Sequence, residues 1–361
     1  MQKKRLFEIE VLRVVGMFLI LYSHSTPYLG WSPRLNWFLP HPGAVGLSIF
    51  FFISGFLLKR SLIGREKQFD LLAFLKSRLI RILPLYWISI LAFILLFHFG
   101  QIFHSSNFEP IVSTFVAHAF ALQLILHPQV AEIPTLWYVG ALIPYYVLFA
   151  ISARLNFLKY LVVNVLILGI LYGLKFALQT KGIDLIDTRL LVHYPTFLLG
   201  VCCAKLDLNL EFLRKRKLVL FVAFSLMAVA YLQWVGYDRT SLTKTYLSFT
   251  NISYYGYCFL WAISFVSLAY LISPIVERFS SSVAFLSVIS YAVYLFHRPV
   301  YGIFYGVVTF WLSTSVFIRT ILFPVATLVL VVISYCITQL DTQFFKPRLV
   351  KLLYSQNSDR K

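Results

Sequence analysis

One property constrains this chain above all others. Its apolar residues fall in successive runs of about twenty, the length that crosses the roughly 30 Å hydrocarbon core of a bilayer as an α-helix. A backbone inside hydrocarbon must satisfy its own hydrogen bonds, so such runs are expected to be helices. Composition agrees: 60% of the 361 residues are hydrophobic, 13% are charged, and the mean hydropathy is +0.80. A water-soluble domain carries about a quarter charged residues. Cys202, Cys203, Cys258 and Cys336 all lie inside apolar runs with no framework spacing, which excludes a disulfide scaffold. The net charge of +18 invites a nucleic-acid reading, but the placement of the charges argues against it.

Candidate spans lie at 6–26, 43–62, 82–104, 134–152, 157–179, 189–205, 217–236, 251–273, 284–310 and 317–341. Lys and Arg collect on the cytoplasmic side of a membrane protein. With Lys3, Lys4 and Arg5 inside and ten crossings, the dense groups Lys59–Arg81, Lys205–Lys217 and Lys346–Lys361 all fall inside. The outer loops keep only Arg34, Lys181, Arg189, Arg239 and Lys244. A further apolar stretch, 110–127, is interrupted by His118. Were it to cross, Arg214–Lys217 would turn outward, so it is expected to be re-entrant or to lie flat at the outer interface. The first run contains Arg13 and lacks a small-residue cleavage pattern after it, as befits a retained helix rather than a signal peptide. The expected fold is thus an all-α integral membrane protein of about ten transmembrane helices with N- and C-termini cytoplasmic. It comprises one multi-pass domain over 1–345 and a short basic tail over 346–361. The surplus charge records orientation, so the expected partner is the lipid bilayer and not nucleic acid.

A charge inside a span costs about 2.5–3.5 kcal/mol on insertion scales, so it needs a partner or a purpose. Arg13 and His24 lie eleven residues apart in the first span, which puts them on one face of a helix about 16 Å apart along its axis. Glu10 shares that face, within ion-pair reach of Arg13. Before the third span, Arg78 and Arg81 are three apart and point the same way. Two guanidinium forks on one side suit a phosphate, although a positive-inside loop would also carry them. The apolar residues of 69–84 fit a surface helix ended by Pro84. Later, Ser290, Tyr294, His297, Tyr301 and Tyr305 form one helical stripe, where Pro299 is expected to kink the helix or break its ladder. Ser54 in the Ser-Gly end of the second span, and Trp137 and Tyr138 at the start of the fourth, complete the polar and aromatic set. Taken by themselves, these runs are better explained by small residues for close packing and by an interfacial belt. The remaining histidines have no metal-ligand spacing, so no metal is expected.

Arg13-x10-His24, Phe51-Phe-Ile-Ser54-Gly55-Phe56, Arg78-Leu-Ile-Arg81-Ile-Leu-Pro84-Leu-Tyr86, Leu136-Trp137 and Ser290-Tyr-x-x-Tyr294-x-x-His297 follow one another in order. In that order they resemble the motifs of membrane acyltransferase family 3, integral membrane proteins that acylate sugars and other hydroxyl acceptors. A carboxylate often found after the Trp in that family is missing here. The resemblance implies that Arg78 and Arg81 hold the phosphates of an acyl-coenzyme A. It also implies that His24 and Arg13 are the catalytic residues, His24 as the catalytic histidine and Arg13 below it along the acyl path, where it could neutralise the developing oxyanion or orient its neighbours, with Glu10, Ser54, Trp137, Tyr138, Ser290, Tyr294 and His297 as cavity lining. The activity so implied is a cell-membrane O-acyltransferase. It moves an acyl group, expected to be acetyl, from cytoplasmic acyl-CoA to a hydroxyl of a cell-surface or lipid-linked glycan. Acyl-CoA is a co-substrate, and no tightly bound cofactor is expected. A neutral imidazole near pKa 6.5 can act as general base or carry the acyl group itself. A transporter or flippase for a polysaccharide or lipid-linked sugar would also use polar stripes and kinked helices, but has little need of a paired phosphate clamp.

Overall fold

A computed structural model describes residues 6–29, 39, 41–64, 68–99, 112–126, 133, 135–205, 210–235, 249–311 and 316–355. Among them the chain is helical and has no strand. The helices are α1 (Phe7–Leu29), α2 (Pro42–Leu62), α3 (Leu71–Phe99), α4 (Val112–Ala119), α5 (Trp137–Ser152), α6 (Phe157–Thr180), α7 (Thr188–Val192) and α8 (Tyr194–Lys205). After these come α9 (Leu210–Val235), α10 (Phe249–Val276), α11 (Ser280–Trp311), α12 (Val316–Leu340) and α13 (Lys346–Ser355). Among the described residues, six stretches are long and apolar enough to cross a membrane: Pro42–Leu62, Leu71–Leu95, Phe157–Thr180, Lys215–Val235, Ile252–Phe304 and Thr320–Lys351.

The helices meet where side chains are small. A Cβ built on Gly46 of α2 would stand 2.5 Å from the Gly16 carbonyl of α1, and one on Gly55 would stand 2.1 Å from the Phe197 carbonyl of α8. On α8, a Cβ at Gly200 would lie 2.1 Å from the Phe52 carbonyl of α2. Hydrophobic burial does not drive helix association in lipid, so close backbone approach of this kind carries the packing. Gly55→Ala and Gly200→Ala are therefore expected to cost about 1–3 kcal/mol, read as a lower thermal midpoint of the detergent-solubilised protein. Gly169→Ala on α6, where nothing lies within 4 Å, should leave the midpoint in place.

Contact positions also fix directions. Gly43 of α2 meets Ser23 of α1 while Gly46 meets Gly16, so these helices are antiparallel. Arg13 meets Ser287 and His24 meets His297, so α1 and α11 run parallel. Two charges within the apolar runs find partners: Lys175 pairs with Asp184 at 2.7 Å, and Arg189 with Asp187 at 2.6 Å.

The stretch expected to be re-entrant holds α4, which at eight residues rises about 12 Å, too little to cross. His118 accounts for its shape. Its Nδ1 bonds the Thr114 carbonyl at 2.7 Å, so it carries the proton, and its Nε2 accepts the Ile133 N–H at 3.1 Å. The Trp87 indole donates to the Ala119 carbonyl at 2.9 Å, and the N–H groups of Ile186 and Asp187 bond the carbonyls of Ile125 and Leu124. Residues 110, 111 and 127 of this stretch lie outside the described set.

Several expectations need correction. Pro84 does not end a surface helix: α3 is one continuous helix with Pro84 inside it. Continuing forfeits one backbone bond, whereas stopping would strand several groups beside hydrocarbon. α11 likewise continues through Pro299, which is compatible with the expected kink or broken ladder. The candidate span 189–205 is divided at His193 into α7 and α8. In addition, the basic segment expected from 346 begins as a helix, since a π turn at Asp341–Phe345 carries α12 directly into α13, Lys346–Ser355.

Candidate functional site

A cavity of about 310 Å³ opens among α1, α2, α3, α5, α11 and the α12–α13 junction. Its described lining includes Arg13, Arg78, Arg81 and Lys346, and no carboxylate. Each cation arrives for a local reason. Arg13 is on the face of α1 that packs on α11, and its Nη1 donates to Ser287 Oγ at 3.2 Å. Arg78 and Arg81 share one face of α3, near the helix start. The Arg78 guanidinium lies 5.3 Å from the Phe74 ring centre, and its Nε is buried without a hydrogen-bond partner. A buried guanidinium N–H with no acceptor is costly, and an anion in the cavity would supply one. Four cations facing a partly enclosed space form an anion site.

Part of the cavity wall is built from hydroxyls. Ser54 on α2 lies 3.4 Å from the Tyr138 hydroxyl on α5, and both line the wall with Ser290 and Tyr294 of α11. Tyr294 also donates to the Thr135 carbonyl. One turn further along α11 stands His297, its ring centre 6.1 Å from that of Tyr294 and 4.9 Å from that of His24. His297 Nδ1 lies 2.7 Å from the Tyr294 carbonyl, and His297 Nε2 lies 3.0 Å from His24 Nδ1.

These partners assign the tautomers. A carbonyl only accepts, so His297 Nδ1 bears the proton. Two imidazolium rings in contact would repel. With the pair neutral, His297 Nε2 is an acceptor and His24 Nδ1 its donor. The proton-accepting lone pair of His24 is then on Nε2. A histidine whose Nδ1–H is held by a neighbour and whose Nε2 is available is arranged as a general base or nucleophile.

The structure thus brings Arg13, Arg78, Arg81, Ser54, Tyr138, Ser290 and Tyr294 into one cavity. His24 and His297 stand beyond its wall, joined to it through Tyr294. Glu10 and Trp137, expected as lining, are not among the lining residues. Arg13 turns to α11, leaving Glu10 outside, and Trp137 packs against His193 at 5.4 Å with the Arg189 guanidinium 4.7 Å from its ring centre. Sequence reasoning missed Ser287, Tyr146 and Tyr291, which also line the cavity. Ser287 lies three before Ser290 and seven before Tyr294, a helical stripe that would have revealed it. Lys346 was read as tail charge; the helix that continues through the π turn carries it to the wall.

The family model for an acyltransferase domain matches residues 6–339. Searches among curated proteins and among solved structures gave no match.

Proposed function

This chain belongs to acyltransferase family 3 and is a multi-pass membrane acyltransferase, and from that premise we propose that it moves an acetyl group from cytoplasmic acetyl-CoA to a hydroxyl of a cell-surface or lipid-linked glycan in the cell membrane. One observation carries this reading. The cation-lined cavity and the His24–His297 pair are linked by one polar stripe of α11, Ser287, Ser290, Tyr294 and His297. Their separation along α1 is about 16 Å. The pantetheine arm of coenzyme A, an extended chain of two amide units, has comparable reach.

The basic loop before α3 orients the cavity toward the cytoplasm. The parallel run of α1 and α11 supports ten crossings. It requires an odd number of crossings between them, which the candidate spans supply only when 110–127 is left out. The donor then enters between Arg78 and Arg81, with its diphosphate on the two forks and its thioester near Tyr294 and His24. His24 Nε2 takes the proton of the acceptor hydroxyl as its oxygen attacks the thioester carbonyl. The C–S bond breaks as the tetrahedral intermediate collapses, and the thiolate of CoA regains the proton from the imidazolium. Should His24 itself attack first, the same atom carries the acyl group. Arg13 bonds Ser287 about three turns below His24, so it holds the donor rather than the oxyanion formed beside His24.

The protein purified into lipid nanodiscs should release CoA from labelled acetyl-CoA when a glycan acceptor is present. Absence of release with every acyl donor and acceptor tried would refute the reading, and glycan flux in that same preparation would favour a transporter. His297→Ala frees the His24 ring to turn and to change tautomer. It is expected to lower kcat about tenfold to a hundredfold with the donor KM unchanged. A matching rise in donor KM would place His297 in donor binding instead.

A further inference from the structure

Lys346 is a cation of the cavity with no counterpart in the matched motifs, because the family match ends at residue 339. It reaches the wall through the π turn. Thr338, Thr342 and Lys346 recur every four residues, and all three line the cavity. Beside them Asp341 is fully buried, with 0% of its side chain exposed, and pairs with Lys346 Nζ at 2.6 Å. The two are five residues apart. In an α-helix that spacing turns them about 140° beyond a full turn, whereas the i→i+5 bonding of a π turn stacks them on one face. Short π segments inside α-helices often mark functional sites. The outcome here is an ammonium group held from behind by a buried carboxylate that is not itself part of the lining. An ammonium has three donor hydrogens, so one pair with Asp341 leaves others for the cavity. The Lys346 side chain is 28% exposed, as suits the mouth of the cavity rather than its depth.

Coenzyme A offers two kinds of phosphate. Its internal diphosphate suits paired planar forks, and the monoester on the 3′ oxygen of its ribose is close to a dianion at neutral pH. A compact ammonium binds the latter as a point charge. Resting on the acyl-CoA reading above, we propose that Lys346, positioned by Asp341 on the π turn, binds the 3′-phosphate of the donor and makes this protein prefer coenzyme A to 3′-dephospho-coenzyme A. The adenosine then sits at the cavity mouth, with the diphosphate between Arg78 and Arg81 and the pantetheine arm directed toward Tyr294.

The test is equilibrium binding of CoA and of 3′-dephospho-CoA to the full chain in nanodiscs. Removing Lys346 alone would leave Asp341 buried without its counter-ion and endanger the fold. The informative variant is therefore Asp341→Asn with Lys346→Gln, accompanied by a thermal midpoint to verify folding. The wild type is expected to bind CoA at least about tenfold more tightly than 3′-dephospho-CoA, the effect of one charged hydrogen bond. The folded double variant should bind the two alike. Equal binding of both ligands by the wild type, or a preference that survives in the variant, overturns the assignment of Lys346 while leaving the acyl-CoA reading intact. Failure of the wild type to bind either ligand overturns the acyl-CoA reading, and this inference with it.

Discussion

His24→Ala is expected to abolish acyl transfer, lowering kcat by at least about 10²–10⁴-fold, the contribution of a positioned general base. The same variant should bind CoA as the wild type does. The separation follows from geometry: His24 lies beyond the Tyr294 wall, and the four cations line the cavity itself. A variant that lost both turnover and CoA binding would show that His24 shapes the cavity instead of acting on the acyl group. Retained turnover would remove His24 from the mechanism. Acid quench of the wild type during turnover separates the two chemical roles, since an acyl-imidazole trapped on His24 would identify it as the carrier.

The Arg78→Ala, Arg81→Ala double variant is expected to raise the donor KM about tenfold to a hundredfold and to leave the acceptor KM in place. Each fork lost removes a charge-assisted contact worth about 1.5–3 kcal/mol, less what solvent and Lys346 restore at the cavity mouth. The unpartnered Arg78 Nε is what marks this pair as more than loop charge: an orientation signal has no need to bury a donor without an acceptor. Equal effects on donor and acceptor, or an inverted topology with normal donor KM, would return the pair to a purely topological role.

Much of this was legible along the chain. The Arg13–His24 spacing placed both residues on one helical face, and the structure keeps both on the α11 side of α1. The Ser290–Tyr294–His297 stripe was equally visible, because a helix repeats every 3.6 residues whatever surrounds it. The partner of His24 was not. His297 is 273 positions away, and no local pattern reports which stripe of one helix will face which stripe of another. Trp137 stands off the cavity wall for a related reason. The resemblance put it among the lining, but the break at His193 brings that ring against it, and Arg189 covers its face.

The sequence alone determined that the chain crosses a membrane many times and that certain helical faces carry charges needing shelter, since both follow from local hydrophobicity and period. Which cations converge, which nitrogen of His24 keeps its lone pair, and whether Pro84 or the 346 boundary ends a helix were decided only in three dimensions. Those outcomes depend on satisfying buried polar groups between segments far apart in the chain, and that balance exists only once the helices have packed.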